Sequence, residues 1–558
     1  MVFGEYRREG WDRYLPSFYF VSDVASANPG HLPDTFVKKH PNPRARTDPQ
    51  ACVRSLEYWM DKCAQHHDMC TPAPEPPLPT RVLRITDRGP TQPPKGSLMV
   101  SNGMCGNTPA ECDRGPWSTL PQTFQDAAVF TRLLGKEFLR IDSICIVQDD
   151  EDDWRREAAS MSEVYGNGFL TLMATKARDG RDRLFNPEPT LLAVEIPAPS
   201  GISDAPGQLF FREMTGYHLG SITLAGDWTS TDSEIHPLLQ RAWVFQERFL
   251  SPRVVHFTAA GIAYECVQRC SSDWSPTDSP APSKLVRGFW ESPKAPADRS
   301  AFSGLWHHIV GMYSELNLTY DRDRLPGLAG IARRFAASNV QPGRYLAGAW
   351  EHTFRSDLMW YRKGDSSSAY GRPPAMSEWI APSWSWASVK GCVIFHAMTC
   401  DLSLKEYCIQ QPGGAGNEFG SVSSLRVRVS TRSLSGVLKR AEPGHYDYLC
   451  KLDLGVGAGS IEFSVSYSSF QEDFLSDRGV VTCIRAIEDT SYPHQLENRC
   501  EGLLVLQLVD GSSDTFRRIG VLGLQRSSSS VIWERHFKTG ADLARAFQQQ
   551  EERIIALV

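Results

Sequence analysis

Five consecutive acids, Asp149, Asp150, Glu151, Asp152 and Asp153, follow the apolar run from Phe138 to Val147. Carboxylates at the carboxyl end of a strand sit on the edge where open parallel sheets usually bind ligands. The same five acids also suit a solvated helix start, where they favour the positive end of the helix dipole, and residue type alone ranks that reading first. Glu157 stands apart from them, three residues after Trp154 and four before Met161, on the rim of the stripe that Trp154, Ala158, Met161, Val164 and Tyr165 form. A carboxylate there has a reason to be perturbed, whereas Glu163 points away. The plain alternative for Glu157 is an ion pair with Arg155, Arg156 or a base on a neighbouring strand. Asp142 interrupts an apolar strand, and its plain role is a hydrogen bond to an adjacent helix N-terminus.

A second set of donors lies earlier in the chain. Cys63, His67 and Cys70 in CAQHHDMC are spaced to supply three ligands to zinc, with Cys52 as a fourth. The segment offers no second ligand pair at standard spacing, so buried thiols beside a surface histidine are the preferred reading and no metal is assigned.

The elements that must position these groups follow from periodicity. Val53, Leu56, Trp59 and Met60 predict a helix running into Cys63, and Arg81–Thr86 a short strand. Phe124, Ala127, Ala128, Thr131 and Leu134 make a helix stripe that Gly135 stops. A strand over Phe138–Val147, a helix with Asp153 as N-cap and a strand over Phe169–Ala174 then form a crossover that implies adjacent parallel strands. RAWVFQERFLSPRVVHF reads as a buried helix, turn and strand, with Arg241, Gln246, Glu247 and Arg248 as a polar network. Phe302–Phe335 reads as two helices joined by a turn, and Trp384 and Trp386 as alternating strand residues in the core. Beyond Cys392 apolar and polar residues alternate, which predicts an antiparallel β region closed by a helix over DLARAFQQQEERIIAL.

The chain of 558 residues is too long for one core. Its net charge of -6 gives no case for nucleic acid or an acidic membrane, and no apolar run is long enough to span a bilayer. The opening residues lack the layout of a signal peptide, so a cytoplasmic or nuclear location is expected, with the 14 cysteines as reduced thiols. Division falls at a loosely structured leader (1–50), an α/β core (51–269), a Ser/Pro-rich linker (270–300), a helical continuation (301–394) and a β-rich region with a final helix (395–558). Walker motifs, GxGxxG and repeat arrays are absent from the sequence.

The stretch from Leu120 to Thr175, LPQTFQDAAVFTRLLGKEFLRIDSICIVQDDEDDWRREAASMSEVYGNGFLTLMAT, resembles the core of the fungal heterokaryon incompatibility (HET) domain. Gln240–Phe257 with Glu265 and Cys266, Trp306–Phe335, Tyr345–Trp360 and Ala381–Gly391 resemble the blocks that follow it in that family, and WMDKCAQHHDMC before LPTRVL is similar to its lead-in. The resemblance covers about residues 50–395 and implies self/non-self recognition and cell death after hyphal fusion, with protein partners or self-association. HET domains are distantly similar to TIR domains, some of which cleave NAD with a helix glutamate. The matching position is Glu157, which would stabilise an oxocarbenium-like ribosyl centre as nicotinamide leaves; Asp142 and Asp150 would orient a ribose or a water.

The implied fold is a parallel-sheet, TIR-like or flavodoxin-like α/β core with helical elaboration, followed by a β-rich C-terminal domain. The sequence departs from the family between Leu98 and Pro121, where Gly106 and not tryptophan stands directly after Cys105 and the loop is short. That segment would form one wall of a nucleotide pocket. Two other functions stay open: an enzyme of fungal specialised metabolism recruited from the same fold, and an interaction module without chemistry. Fold resemblance decides none of them.

Overall fold

A computed structural model describes residues 17–18, 21–22, 48–67, 70, 78–86, 95–100, 120–185, 192–196, 207–211, 213–214, 236–259, 261–272, 279–280, 299–362, 376–412, 417–440, 448–453, 460–465, 478–488, 502–509, 511–523 and 537–558. The chain forms two compact units. The first holds residues 1–150, 164–239 and 251–288; the second holds 151–163, 240–250 and 289–558.

In the first unit, helix α1 (Pro49–His66) starts where the Asp48 side chain accepts a hydrogen bond from the Gln50 amide at 3.0 Å and Pro49 fills the first turn. Cys52, Leu56, Trp59 and Cys63 recur at three and four residues and are buried. Burying each such large apolar side chain contributes about 1.5–3 kcal/mol. Strands β1 (Arg81–Thr86) and β2 (Lys95–Val100) pair antiparallel, as expected for the first. Helix α2 (Gln122–Leu133) buries Ala127, Ala128, Phe130 and Thr131, and Gly135 at φ +66° ends it.

The next segment departs from the expected strand. Only Phe138–Leu139 (β3) forms a strand, and it pairs antiparallel with β1. Asp142–Cys145 is instead a helical turn, α3. Asp142 belongs to its first turn, where an acid suits the exposed amides, and its carboxylate accepts from Arg140 Nε at 2.9 Å and the Tyr165 hydroxyl at 3.0 Å. Helix α4 (Glu151–Asn167) begins two residues before the expected N-cap, so that Asp153 lies inside its first turn and is buried. Strand β4 (Thr171–Met173) runs parallel to β5 (Arg253–Thr258), far along the chain, and not to β3. The parallel crossover expected over residues 138–174 is therefore not formed. Its apolar run is broken by the polar anchoring of Asp142.

Strand β5 turns into β6 (Gly261–Cys266), which pairs with β7 (Arg269–Ser272) and then β8 (Ser279–Pro280); these three steps are antiparallel. Residues 281–298 of the expected linker and residues 101–119 of the divergent loop lie outside the described residues.

The second unit joins helices to a large sheet. Helices α5 (Ala242–Leu250), α6 (Arg299–Ser314) and α7 (Pro326–Ala336) fall where the sequence predicts them. Gln246 Oε1 accepts from the Gly330 amide at 2.6 Å, which locks α5 against α7. Strands β9 (Leu402–Gln410), β10 (Ser424–Thr431), β11 (Ser433–Arg440), β12 (Tyr448–Asp453), β13 (Ser460–Val465), β14 (Arg478–Glu488), β15 (Gly502–Leu508), β16 (Thr515–Gly523) and β17 (Arg553–Leu557) line up as β9-β10-β17-β16-β15-β14-β11-β12-β13. The expected closing helix ends at Gln548 (α8, Phe537–Gln548), and RIIAL becomes β17, parallel to β16. An apolar run holding two β-branched residues fits a sheet interior at least as well as a helix.

Trp384 and Trp386 are buried, as expected of core residues, but they do not lie on a strand: Trp386 opens a 3-10 turn capped by Ser385. The Gly348 carbonyl accepts from Trp306 Nε1 at 2.9 Å and Trp386 Nε1 at 3.0 Å. Gly348 sits at φ +102°, and an added Cβ would stand 2.4 Å from Trp386 Nε1. Gly348→Ala is therefore expected to lose about 3 kcal/mol or more from strain and overlap together. Gly391→Ala, at φ +90° with open space around it, should lose only about 1–2 kcal/mol. Chemical denaturation followed by tryptophan fluorescence measures both, and equal losses would contradict the overlap at Gly348.

Candidate functional site

Helix α1 brings Cys63 to its last turn, and His67 follows as its C-cap with its amide bonded to the Cys63 carbonyl at 3.0 Å. The Cys70 amide bonds to the His67 carbonyl at 3.1 Å. The sequence steps of four and three thus wind the three donors around one helix end. Strand β6 supplies the partner: Cys266, fully buried, lies with its Sγ 3.3 Å from His67 Nδ1. The donor atoms of Cys63, His67, Cys70 and Cys266 all lie within 4.8 Å of one another. Cys52 is not the fourth member; it lies in the apolar core about three turns before Cys63 on α1. All of these cysteines are free thiols.

The electrostatics of the cluster follow from crowding. Hydrogen bonds from Cys266 and Cys70 hold the Cys63 thiol well below its ordinary range, against the opposing effect of burial. Its bonds to Cys63 and Cys70, together with burial, push Cys266 well up. Cys70 is raised on balance: its bond with Cys266 lowers it, and Cys63 and burial outweigh that. Only one sulfur is readily ionised while the others keep their protons. The Arg269 amide donates to Cys266 Sγ at 3.3 Å, and burial followed by the Cys63 neighbour raises the Tyr264 hydroxyl. Trp59, Lys62, His66, His67, Gln268 and Arg269 line a cavity of 410 Å³ beside the cluster.

The acids singled out by sequence are not gathered in either unit. Asp142 and Asp150 belong to the first and Glu157 to the second. Asp142 is committed to Arg140 and Tyr165, and Asp150 is exposed. Glu157 is 3% exposed, on the same face of α4 as buried Asp153 and Met161. The acids at the helix start pair locally, Glu151 and Asp152 with Arg155 and Asp153 with Arg156. This fits the helix-start role that residue type favoured for Glu151 and Asp152, whereas Asp153 is buried and not solvated.

Two polar networks escaped the sequence reading. In the first unit Thr175 Oγ1 lies 3.0 Å from His256 Nδ1, and His256 Nε2 lies 3.2 Å from Glu265 Oε2. The order hydroxyl, imidazole, carboxylate is that of a nucleophilic relay. All three side chains are sealed from solvent at 0–1% exposure, so the set serves as interior hydrogen bonding. In the second unit His307 Nε2 meets both Asp357 Oδ1 at 2.8 Å and Ser303 Oγ at 3.3 Å. Acid and hydroxyl share one nitrogen, which cannot relay a proton between them. Only Ser303 and His307 stand one helical turn apart; the other links join residues 9, 50 and 81 positions apart, which no local pattern announces.

A two-unit α/β protein with a buried thiol-imidazole cluster and a β-rich C-terminal region is thus defined by fold and site. Residues 101–247 match the family model of the heterokaryon incompatibility protein (HET), so this segment is similar to that family. No curated protein and no solved structure matches the chain. Among the described residues, no helix is long and apolar enough to cross a membrane.

Lys176, half-buried beside Asp182 and Asp126, is lowered to about 8 from 10.5, chiefly by burial. Between those values the unfolded chain holds a proton that the folded chain has released, so stability rises with pH from about 8 to 10.5. Lys176→Met should be more stable than the parent at pH 7 and should lose this rise. Urea unfolding at pH 7, 8, 9 and 10 checks it, and parallel profiles for the two proteins would contradict it.

Proposed function

We propose that the protein acts in heterokaryon incompatibility, the self/non-self recognition and cell-death response of fungi, from the cytoplasm and through protein partners or copies of itself. The match over residues 101–247 carries this reading. The finer question is whether the domain works by TIR-like NAD cleavage through Glu157 or by binding alone. A glutamate that stabilises a ribosyl cation must reach the substrate. Glu157 is 97% shielded within α4, and Asp142 is tied to Arg140 and Tyr165. We therefore read the described conformation as a resting interaction module, in which NAD cleavage requires a rearrangement that uncovers Glu157.

Induced expression of the full chain in a filamentous fungus is expected to arrest growth, and the arrest is expected to survive Glu157→Gln. The purified protein is expected to leave NAD intact. Loss of NAD with the parent and none with Glu157→Gln would establish the cleavage reading instead. Normal growth on induction of well-expressed, folded protein would remove the incompatibility reading.

A further inference from the structure

We propose that Cys63, His67, Cys70 and Cys266 bind one zinc ion, as a closed four-ligand structural site that staples α1 to the β5–β6 hairpin. Three sulfurs and one imidazole are a soft donor set that suits zinc and disfavours magnesium or calcium. The distances are close to those a tetrahedral ion requires. With Zn–S near 2.3 Å, donors around one ion stand about 3.8 Å apart. The four donor atoms here lie within 4.8 Å of one another, and one pair is already at 3.3 Å. Closing from 4.8 Å to that spacing asks for shifts of about 1 Å between donors.

The surroundings suit a thiolate centre. The Arg269 amide points at Cys266 Sγ and the Val267 amide bonds to Cys70. Such N–H donors offset the excess negative charge of a centre with three thiolates. His67 presents Nδ1 to the cluster and borders the neighbouring cavity. Four protein ligands leave no open position, so the site is structural and not hydrolytic.

The placement says what the ion would do. Cys63, His67 and Cys70 precede the segment 101–247 that matches the family model, and Cys266 follows it. One ion would therefore clamp the two flanks of that segment together. The loop it closes is long, which is where a cross-link removes the most freedom from the unfolded chain. This assignment is independent of the incompatibility reading, since neither Glu157 nor NAD enters it.

Elemental analysis of the full chain, purified without added metal or chelator, is expected to find one zinc per molecule. Cys266→Ser and Cys63→Ser should each lose most of it, whereas Cys52→Ser should retain it. Replacement by cobalt should give thiolate-to-cobalt charge-transfer absorption with tetrahedral ligand-field bands in the parent protein, a readout that needs no variant to fold. Chelator should lower the thermal transition. Absence of metal together with a cobalt spectrum lacking charge transfer would overturn the proposal. So would a disulfide between two of the three cluster cysteines, found by mass spectrometry of the freshly purified protein.

Discussion

Three sulfurs and an imidazole confined within 4.8 Å impose the condition on which the first unit rests. Without a cation, at most one of these thiols ionises readily, and its neighbours must keep their protons to hydrogen-bond it. The Cys63 thiol is accordingly held low while Cys266 and Cys70 are pushed up. The cluster lies in the same core as Leu56, Trp59, Phe130, Val255, Phe257 and Tyr264. Any change in its charge is felt by packing that involves α1, α2 and the β5–β6 hairpin together.

The second unit solves a different problem with aromatic rings. Trp306, Trp350, Trp360, Trp384 and Trp386 are all interior, and an indole N–H cannot be buried cheaply without an acceptor. Three of the five find one: Trp306 and Trp386 converge on the Gly348 carbonyl, and Trp360 donates to the Trp384 carbonyl at 2.9 Å, whereas the Nε1 groups of Trp350 and Trp384 are buried without an acceptor among the described residues. Arg518 is buried over the Trp360 ring, 3.6 Å from its centroid, and donates to the carbonyls of Leu358 and Trp360. Burial lowers its guanidinium to about 9. Backbone carbonyls, not carboxylates, satisfy this interior cation, so strand β16 is tied to the chain around Trp360 by polar bonds that apolar patterning does not announce.

Legibility in the sequence followed the range of each interaction. Helices α1, α2, α5, α6 and α7 carry their stripes in consecutive turns, and their positions were readable. Phe138–Val147 looked like one strand because its apolar residues are continuous; Asp142, held by Arg140 and by Tyr165 from a later helix, turns it into α3. RIIAL was ambiguous because an apolar run of strand length has no period of its own. At the thiol cluster three donors were visible because they share a helix end. The fourth was not, because Cys266 reaches them only through the register of a hairpin far along the chain.

That register explains how one hairpin serves two sites. Strand residues alternate faces, so Val255, Phe257, Ile262, Tyr264 and Cys266 share one face, which is the one in the α1 core. His256 and Glu265 lie on the other, where they meet as a diagonal cross-strand pair and reach Thr175. A slip of one residue in β6 would exchange Cys266 for Glu265, placing a carboxylate among the thiols and a sulfur opposite the imidazole. Both faces are chemically demanding, so each penalises the wrong register independently. The buried strands need no polar face to set their alignment, because the cysteine cluster and the histidine-glutamate pair set it from opposite sides.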